Sequence, residues 1–117
     1  LAEDDSLMAE IIAFIMTEMG YRVVTVNDGA KALKAFRAEP ADLVILDINM
    51  PVMNGLDALR QILREDADAK VIMLTGVDET AVAESCITAG AIDYIQKGLG
   101  ADAFRKGLEK AIRSLDA

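Results

Sequence analysis

Four groups able to do chemistry each stand at the end of a strand-like segment. Asp47 closes Leu43-Val44-Ile45-Leu46 and is followed by Ile48-Asn49-Met50-Pro51 and the turn pair Asn54-Gly55. Thr75 closes Val71-Ile72-Met73-Leu74, Lys97 closes Asp93-Tyr94-Ile95-Gln96, and Glu3-Asp4-Asp5 follows Leu1-Ala2. A buried strand that stops at a carboxylate delivers it to the crevice beyond the strand ends, where open α/β sheets bind their ligands. Glu3, Asp4 and Asp47 gathered there repel one another unless a cation intervenes. Oxygen donors with no His or Cys among them point to Mg²⁺ rather than zinc. The Thr75 hydroxyl, beside Gly76, can approach a phosphoryl oxygen closely, and the Lys97 ammonium can reach a carboxylate or a phosphoryl group as a point charge. Each residue alone has a plainer reading: a helix cap for Asp4 or Asp5, a Thr-Gly turn, a solvated lysine. Capping explains neither Thr75 nor Lys97, and four such strand ends together describe one site.

The elements that must position these residues alternate. Leu1-Ala2 reads as the tail of a first strand; two residues are few for a central strand, so several are expected to be missing before Leu1. Ser6 is expected to cap a helix to about Met19, closed by Gly20. Tyr21 to Val26 is β-branched and reads as a strand, and Asn27-Asp28-Gly29 turns into a helix from about Ala30 to Ala38. After the strand over Leu43–Leu46, residues from Leu56 to about Glu65 repeat at helical spacing. Val71–Leu74 is a strand, Asp78 is expected to cap a helix to about Ala89, Tyr94-Ile95 is a short strand, and Asp102 to Leu115 is an amphipathic helix. Five strands each followed by a helix imply an α/β domain with a parallel sheet, right-handed crossovers and helices on both faces. No linker or repeat divides residues 1–117, which read as one domain.

Bulk properties restrict the function further. A chain of 117 residues with 53% hydrophobic content buries a real core. A net charge of −8 disfavours binding to a phosphate backbone, so no nucleic-acid partner is expected. Cys86 is the lone cysteine, which excludes an internal disulfide and suits a reducing, cytoplasmic compartment. No apolar run is long enough to span a membrane, and no export leader precedes Leu1. The absence of histidine excludes a His-based triad, a His metal ligand and a phosphohistidine formed within the chain.

Glu3-Asp4, Asp47 with Met50-Pro51 and Met53-Asn54-Gly55, Thr75-Gly76, and Ala89-Gly90-Ala91 leading to Tyr94 and Lys97 together make a specific pattern that spans nearly the whole chain. In this order and spacing the chain resembles the receiver domain of the two-component response-regulator family. The resemblance implies a doubly wound, flavodoxin-like five-stranded parallel sheet of order 2-1-3-4-5 with five helices on its two faces. It implies that Asp47 accepts a phosphoryl group from a phosphohistidine on a partner, a sensor histidine kinase or a histidine phosphotransfer protein. Asp4, Asp47 and the Asn49 backbone carbonyl would ligate Mg²⁺, Glu3 would act through a water, and Thr75 and Lys97 would bind the phosphoryl oxygens. Thr75 and Tyr94 would form the switch that alters the surface of the fourth helix, fifth strand and fifth helix toward a downstream target or an attached output domain. In that reading the chain is no enzyme for an external substrate, and catalyses only its own phosphorylation and dephosphorylation.

The family usually places proline after the lysine. Here the run is Lys97-Gly98-Leu99-Gly100, which predicts a trans bond or a mobile loop and a less firmly held Lys97. Gly107 interrupts the last helix, serving either close packing or a looser output face. Leu7, Met8, Ile11, Ile12, Phe14, Ile15, Met16 and Met19 spread around the first helix more widely than burial requires. Neighbouring helices cover that arc, or it docks the donor helices of the partner, for which Met8 and Ile12 are the residues to test. Asn49 and Val77 flank the approach of a hydrolytic water and are expected to tune the phosphoaspartate lifetime. Two rivals are weighed. A dehalogenase-type aspartyl phosphatase needs an acid two residues after its nucleophile, where this chain has Asn49. A pseudo-receiver that never takes phosphate is disfavoured by the complete acidic set.

Overall fold

The computed structural model describes residues 1–76 and 78–115. Val77, expected to flank the water approach, lies outside the described residues. The elements run α1 (Ser6–Glu18), α2 (Gly29–Ala38), β1 (Val44–Asp47), α3 (Gly55–Glu65), β2 (Val71–Thr75), α4 (Thr80–Ala89), β3 (Asp93–Gln96) and α5 (Ala101–Leu115). The three strands form one parallel sheet in that order, with Leu46 opposite Met73 and Met73 opposite Tyr94.

The two segments expected as the first two strands pair through single parallel bridges, Ala2 with Val26 and Ala2 with Leu46. Ala2 N–H donates to the Ile45 carbonyl at 2.8 Å and Asp47 N–H to the Ala2 carbonyl at 2.9 Å; on the other side Glu3 N–H reaches Val26 at 3.0 Å. The spatial order is therefore Val26, Ala2, Leu46, Met73, Tyr94, which is the expected 2-1-3-4-5. The pairing extends through the Leu1 amine to the Val24 carbonyl and Val26 N–H to the Leu1 carbonyl, each at 2.9 Å, while the Val24 side chain stays exposed.

Alternation along the strands divides the core between two faces. Val44, Leu46, Val71 and Met73 pack with Ala32, Leu33 and Phe36 of α2, Leu59 and Ile62 of α3, and Ala83 and Cys86 of α4. Ile45, Ile72, Leu74 and Ile95 pack on Ile12, Ile15 and Met16 of α1 and Phe104, Leu108 and Ala111 of α5. Burying a Leu or Ile side chain stabilises by about 1.5–3 kcal/mol, so these two clusters set the plane from which the site residues project. Gly107 allows α5 to lie close to the sheet: a Cβ there would come within 3.2 Å of Ile95 Cγ2.

Two caps differ from expectation. Asp5, not Ser6, caps α1, its carboxylate accepting from the N–H groups of Leu7 at 3.0 Å and Met8 at 3.2 Å. Glu79, not Asp78, occupies the position before α4 and makes no capping bond into that helix. The wide apolar arc of α1 is not wholly covered. Ile12, Ile15 and Met16 are buried, whereas Leu7, Ile11 and Phe14 face outward, Phe14 at 65% exposure. Among the described residues no peptide bond is cis, and Gly98 and Gly100 take φ of +86° and +95°, which glycine adopts without strain. No helix is long and apolar enough to cross a membrane.

Candidate phosphoacceptor and metal site

Asp47 ends β1, Thr75 ends β2 and Lys97 follows β3, so a parallel sheet puts all three at one edge. Glu3 joins them because Ala2 is stitched between Val26 and β1. Asp47 and Glu3 are each only 1% exposed, and Thr75 is 2% exposed. Asp4 and Asn49, at the rim, are exposed. The turn after Asp47 is tight: Gly55 N–H donates to the Ile48 carbonyl at 2.8 Å, and any Cβ at Gly55 would collide with the Asp47 carbonyl oxygen. Glycine there is what lets α3 start directly under the carboxylate.

Lys97 bridges the two buried acids. Its Nζ lies 3.0 Å from Asp47 Oδ2 and 3.2 Å from Glu3 Oε2. The chain leading to it is anchored, since Lys97 N–H donates to the Thr75 carbonyl at 2.7 Å. Without the proline the Lys97–Gly98 bond is trans, as expected, and Lys97 contacts β2 through its backbone and two carboxylates through its side chain.

Asp47 Oδ1 is the exception in this network: it is buried and has no hydrogen-bond partner among the described residues. Carboxylate oxygens of Glu3, Asp4 and Asp47 lie within 4.8 Å of one another. An orphaned buried anion beside two further carboxylates, with only hard oxygen donors present, is a fitting cradle for Mg²⁺. Burial pushes the Asp47 carboxyl up from 3.8 to about 7; repulsion from Glu3 adds to this, and the hydrogen bond and charge of Lys97 pull against it. Burial alone would lower the Lys97 ammonium, but Asp47 and then Glu3 outweigh it and the net displacement is upward.

Tyr94, expected as the second switch residue, lies on β3 opposite Met73 and is 36% exposed. The Asn49 side chain turns to Glu79, its Nδ2 donating to Glu79 Oε2 at 2.6 Å, while Gly76 N–H donates to Glu79 Oε1 at 2.6 Å. Glu79 was not among the expected site residues. Its place three residues after Gly76, just before α4, lets its carboxylate reach back to that backbone N–H.

A family model described as the response regulator receiver domain matches residues 1–109. The chain is 36% identical over 114 residues, 97% of its own length and 96% of the relative's, to the chemotaxis protein CheY of Listeria monocytogenes. It is also 36% identical over 97 residues to the DNA-binding response regulator MtrA of Mycolicibacterium paratuberculosis, covering 83% of this chain and 43% of that protein. Among solved structures, that of the CheX–CheY–BeF3–Mg²⁺ complex from Borrelia burgdorferi is similar at a TM-score of 0.87 and 27% identity, covering 99% of this chain and 86% of that one.

Proposed function

The chain belongs to the response-regulator receiver family, a phosphoaspartate switch of two-component signalling, and we propose that Asp47 is its phosphoacceptor. The observation that carries this assignment is the buried, unpartnered Oδ1 of Asp47 beside Glu3, Asp4 and Lys97. Phosphoryl transfer asks a protein for positioning and charge neutralisation more than for covalent chemistry. Here an Asp47 oxygen attacks the phosphorus of a partner's phosphohistidine; the new O–P bond forms as the N–P bond breaks and the imidazole leaves with its electron pair.

Glu3, Asp4, Asp47 and the Asn49 carbonyl would hold Mg²⁺, which when bound neutralises charge on the carboxylates and the phosphoryl oxygens. Lys97, already 3.0 Å from Asp47, supplies the cation that stays with the acceptor through transfer. Thr75 offers a buried hydroxyl donor at the adjacent strand end. The added charge and acceptor oxygens on Asp47 draw that hydroxyl inward, and Tyr94 follows by a change of rotamer. The surface of α4, β3 and α5, which corresponds to the expected fourth helix, fifth strand and fifth helix, then changes its affinity for a downstream target or an attached output domain.

As the family implies, the donor is a sensor histidine kinase or a histidine phosphotransfer protein; this chain, without histidine, supplies no phosphohistidine itself. Leu7, Ile11 and Phe14 on α1 form the apolar contact for its helices. The structure changes the choice of test residue, because Ile12 is 1% exposed and belongs to the core. Phe14→Lys should slow transfer from the donor protein and leave phosphorylation by acetyl phosphate intact. Self-catalysed phosphorylation and dephosphorylation, and a cytoplasmic location that suits the buried free thiol of Cys86, complete the proposal. It is tested by intact mass after incubation with acetyl phosphate, with and without Mg²⁺. One added phosphoryl group that requires Mg²⁺ supports the reading, and an unmodified folded protein supports the pseudo-receiver instead.

A further inference from the structure

Glu79 joins two strand ends that are far apart in sequence. Its Oε1 accepts from Gly76 N–H, the backbone donor that follows Thr75, and its Oε2 accepts from Asn49 Nδ2, two residues beyond Asp47, each at 2.6 Å. These are short, charge-assisted bonds. A turn-closing glutamate would account for the Gly76 contact, and Glu79 N–H indeed donates to the Gly76 carbonyl at 3.3 Å. It does not account for Asn49, which is 30 residues away on the loop after β1. Nor does it account for the neighbouring Asp47 Oδ1, which is buried without a donor while a polar donor at each of the two strand ends is engaged by another carboxylate.

We infer that Glu79 is a resident anion that occupies the Gly76 and Asn49 donors and must be displaced when a phosphoryl group forms on Asp47, so that it limits the affinity of the site for that group. The inference rests on Asp47 being the phosphoacceptor. A phosphoryl group brings negative charge and strong acceptor oxygens to the ends of β1 and β2, where it both repels the Glu79 carboxylate and seeks the N–H groups it holds. Glu79 is half-buried and sits one residue before α4, so its release frees a contact at the start of the helix that borders the proposed output surface. Gly76 suits this device: a Cβ there would lie 2.6 Å from Glu79 Oε1 and push the carboxylate away.

The test uses the full chain with Glu79→Ala, Glu79→Gln and, as a charge control, Glu84→Gln on the exposed face of α4. In the free protein the Gly76 amide proton should move upfield in Glu79→Ala, because it loses a short bond to a carboxylate, and stay put in Glu84→Gln. Beryllofluoride with Mg²⁺, titrated by heteronuclear NMR, should bind about tenfold more tightly to Glu79→Ala, equivalent to about 1.4 kcal/mol. Glu79→Gln should fall between, since it keeps an acceptor for Gly76 but no charge, and Glu84→Gln should match the wild type. An unmoved Gly76 resonance, or equal affinity in wild type and Glu79→Ala, overturns the inference while leaving the phosphoacceptor assignment intact. Tighter binding in Glu84→Gln as large as in Glu79→Ala reduces the effect to net charge and overturns it too. Failure of every protein to bind beryllofluoride overturns the phosphoacceptor reading and the inference with it.

Discussion

Replacing Asp47 by Asn should make the metal-free protein more stable, by an amount that depends on pH. The Asp47 carboxyl is raised from 3.8 to about 7 because it is buried and faces Glu3, against the pull of Lys97. An acid whose folded-state pKa is raised is held in its neutral form by folding. Its contribution to stability is fully present below 3.8 and is lost as pH rises through about 7. The step corresponds to about 4 kcal/mol, a large fraction of the roughly 5–15 kcal/mol available to a domain. Asn is close in shape to the protonated acid and does not titrate. Urea unfolding of wild type and Asp47→Asn in EDTA, repeated across this range, should give similar stabilities near the acid end. The variant should be ahead by about 4 kcal/mol above neutrality. Taking the difference between the two proteins cancels the titration of groups that Asp47 does not touch, leaving Asp47 and its coupled partners Glu3 and Lys97. Millimolar Mg²⁺ should then raise the wild type above neutrality and leave Asp47→Asn nearly unchanged. Parallel stability profiles across the whole pH range would refute the claim that Asp47 is strained by ionisation in its buried setting.

Two further outcomes follow from the geometry. Asp4→Asn removes an exposed carboxylate from the acidic group, so Mg²⁺ affinity by isothermal titration should drop at least about tenfold while metal-free stability changes by less than about 0.5 kcal/mol. Val52 is β-branched, 86% exposed and held at φ of 67°, so Val52→Asn should gain about 1 kcal/mol in chemical denaturation without altering phosphorylation.

The site was legible because its residues are marked by interruption. A polar group that ends an apolar run, as Asp47 and Thr75 do, can be read without knowing what surrounds it. Parallel pairing then brings such ends together whatever the exact strand lengths. The strand count was less legible: Tyr21–Val26 has β propensity, but it joins Leu1, Ala2 and Glu3 through one bridge and a few backbone bonds rather than a regular strand. Cap positions slipped by one residue at Ser6 and Asp78 because neighbouring Asp, Ser and Glu side chains all suit a helix start. Glu79 was missed for a different reason. Its role depends on Asn49, whose side chain is expected from sequence beside the water approach and acquires its partner Glu79 only when β1 and β2 lie side by side. The lysine loop was half legible: without proline its peptide bond is trans, as expected, whereas the backbone bond from Lys97 to Thr75 leaves no mark in the sequence.

The central claim is that phosphate is carried by Asp47. Reducing the acetyl-phosphate-treated protein with borohydride converts an aspartyl phosphate to homoserine, and tandem mass spectrometry then locates the altered residue. The account predicts homoserine at position 47, formed only when Mg²⁺ was present. Homoserine at Asp4 or at another carboxylate, or none in a protein shown to be folded, would contradict it.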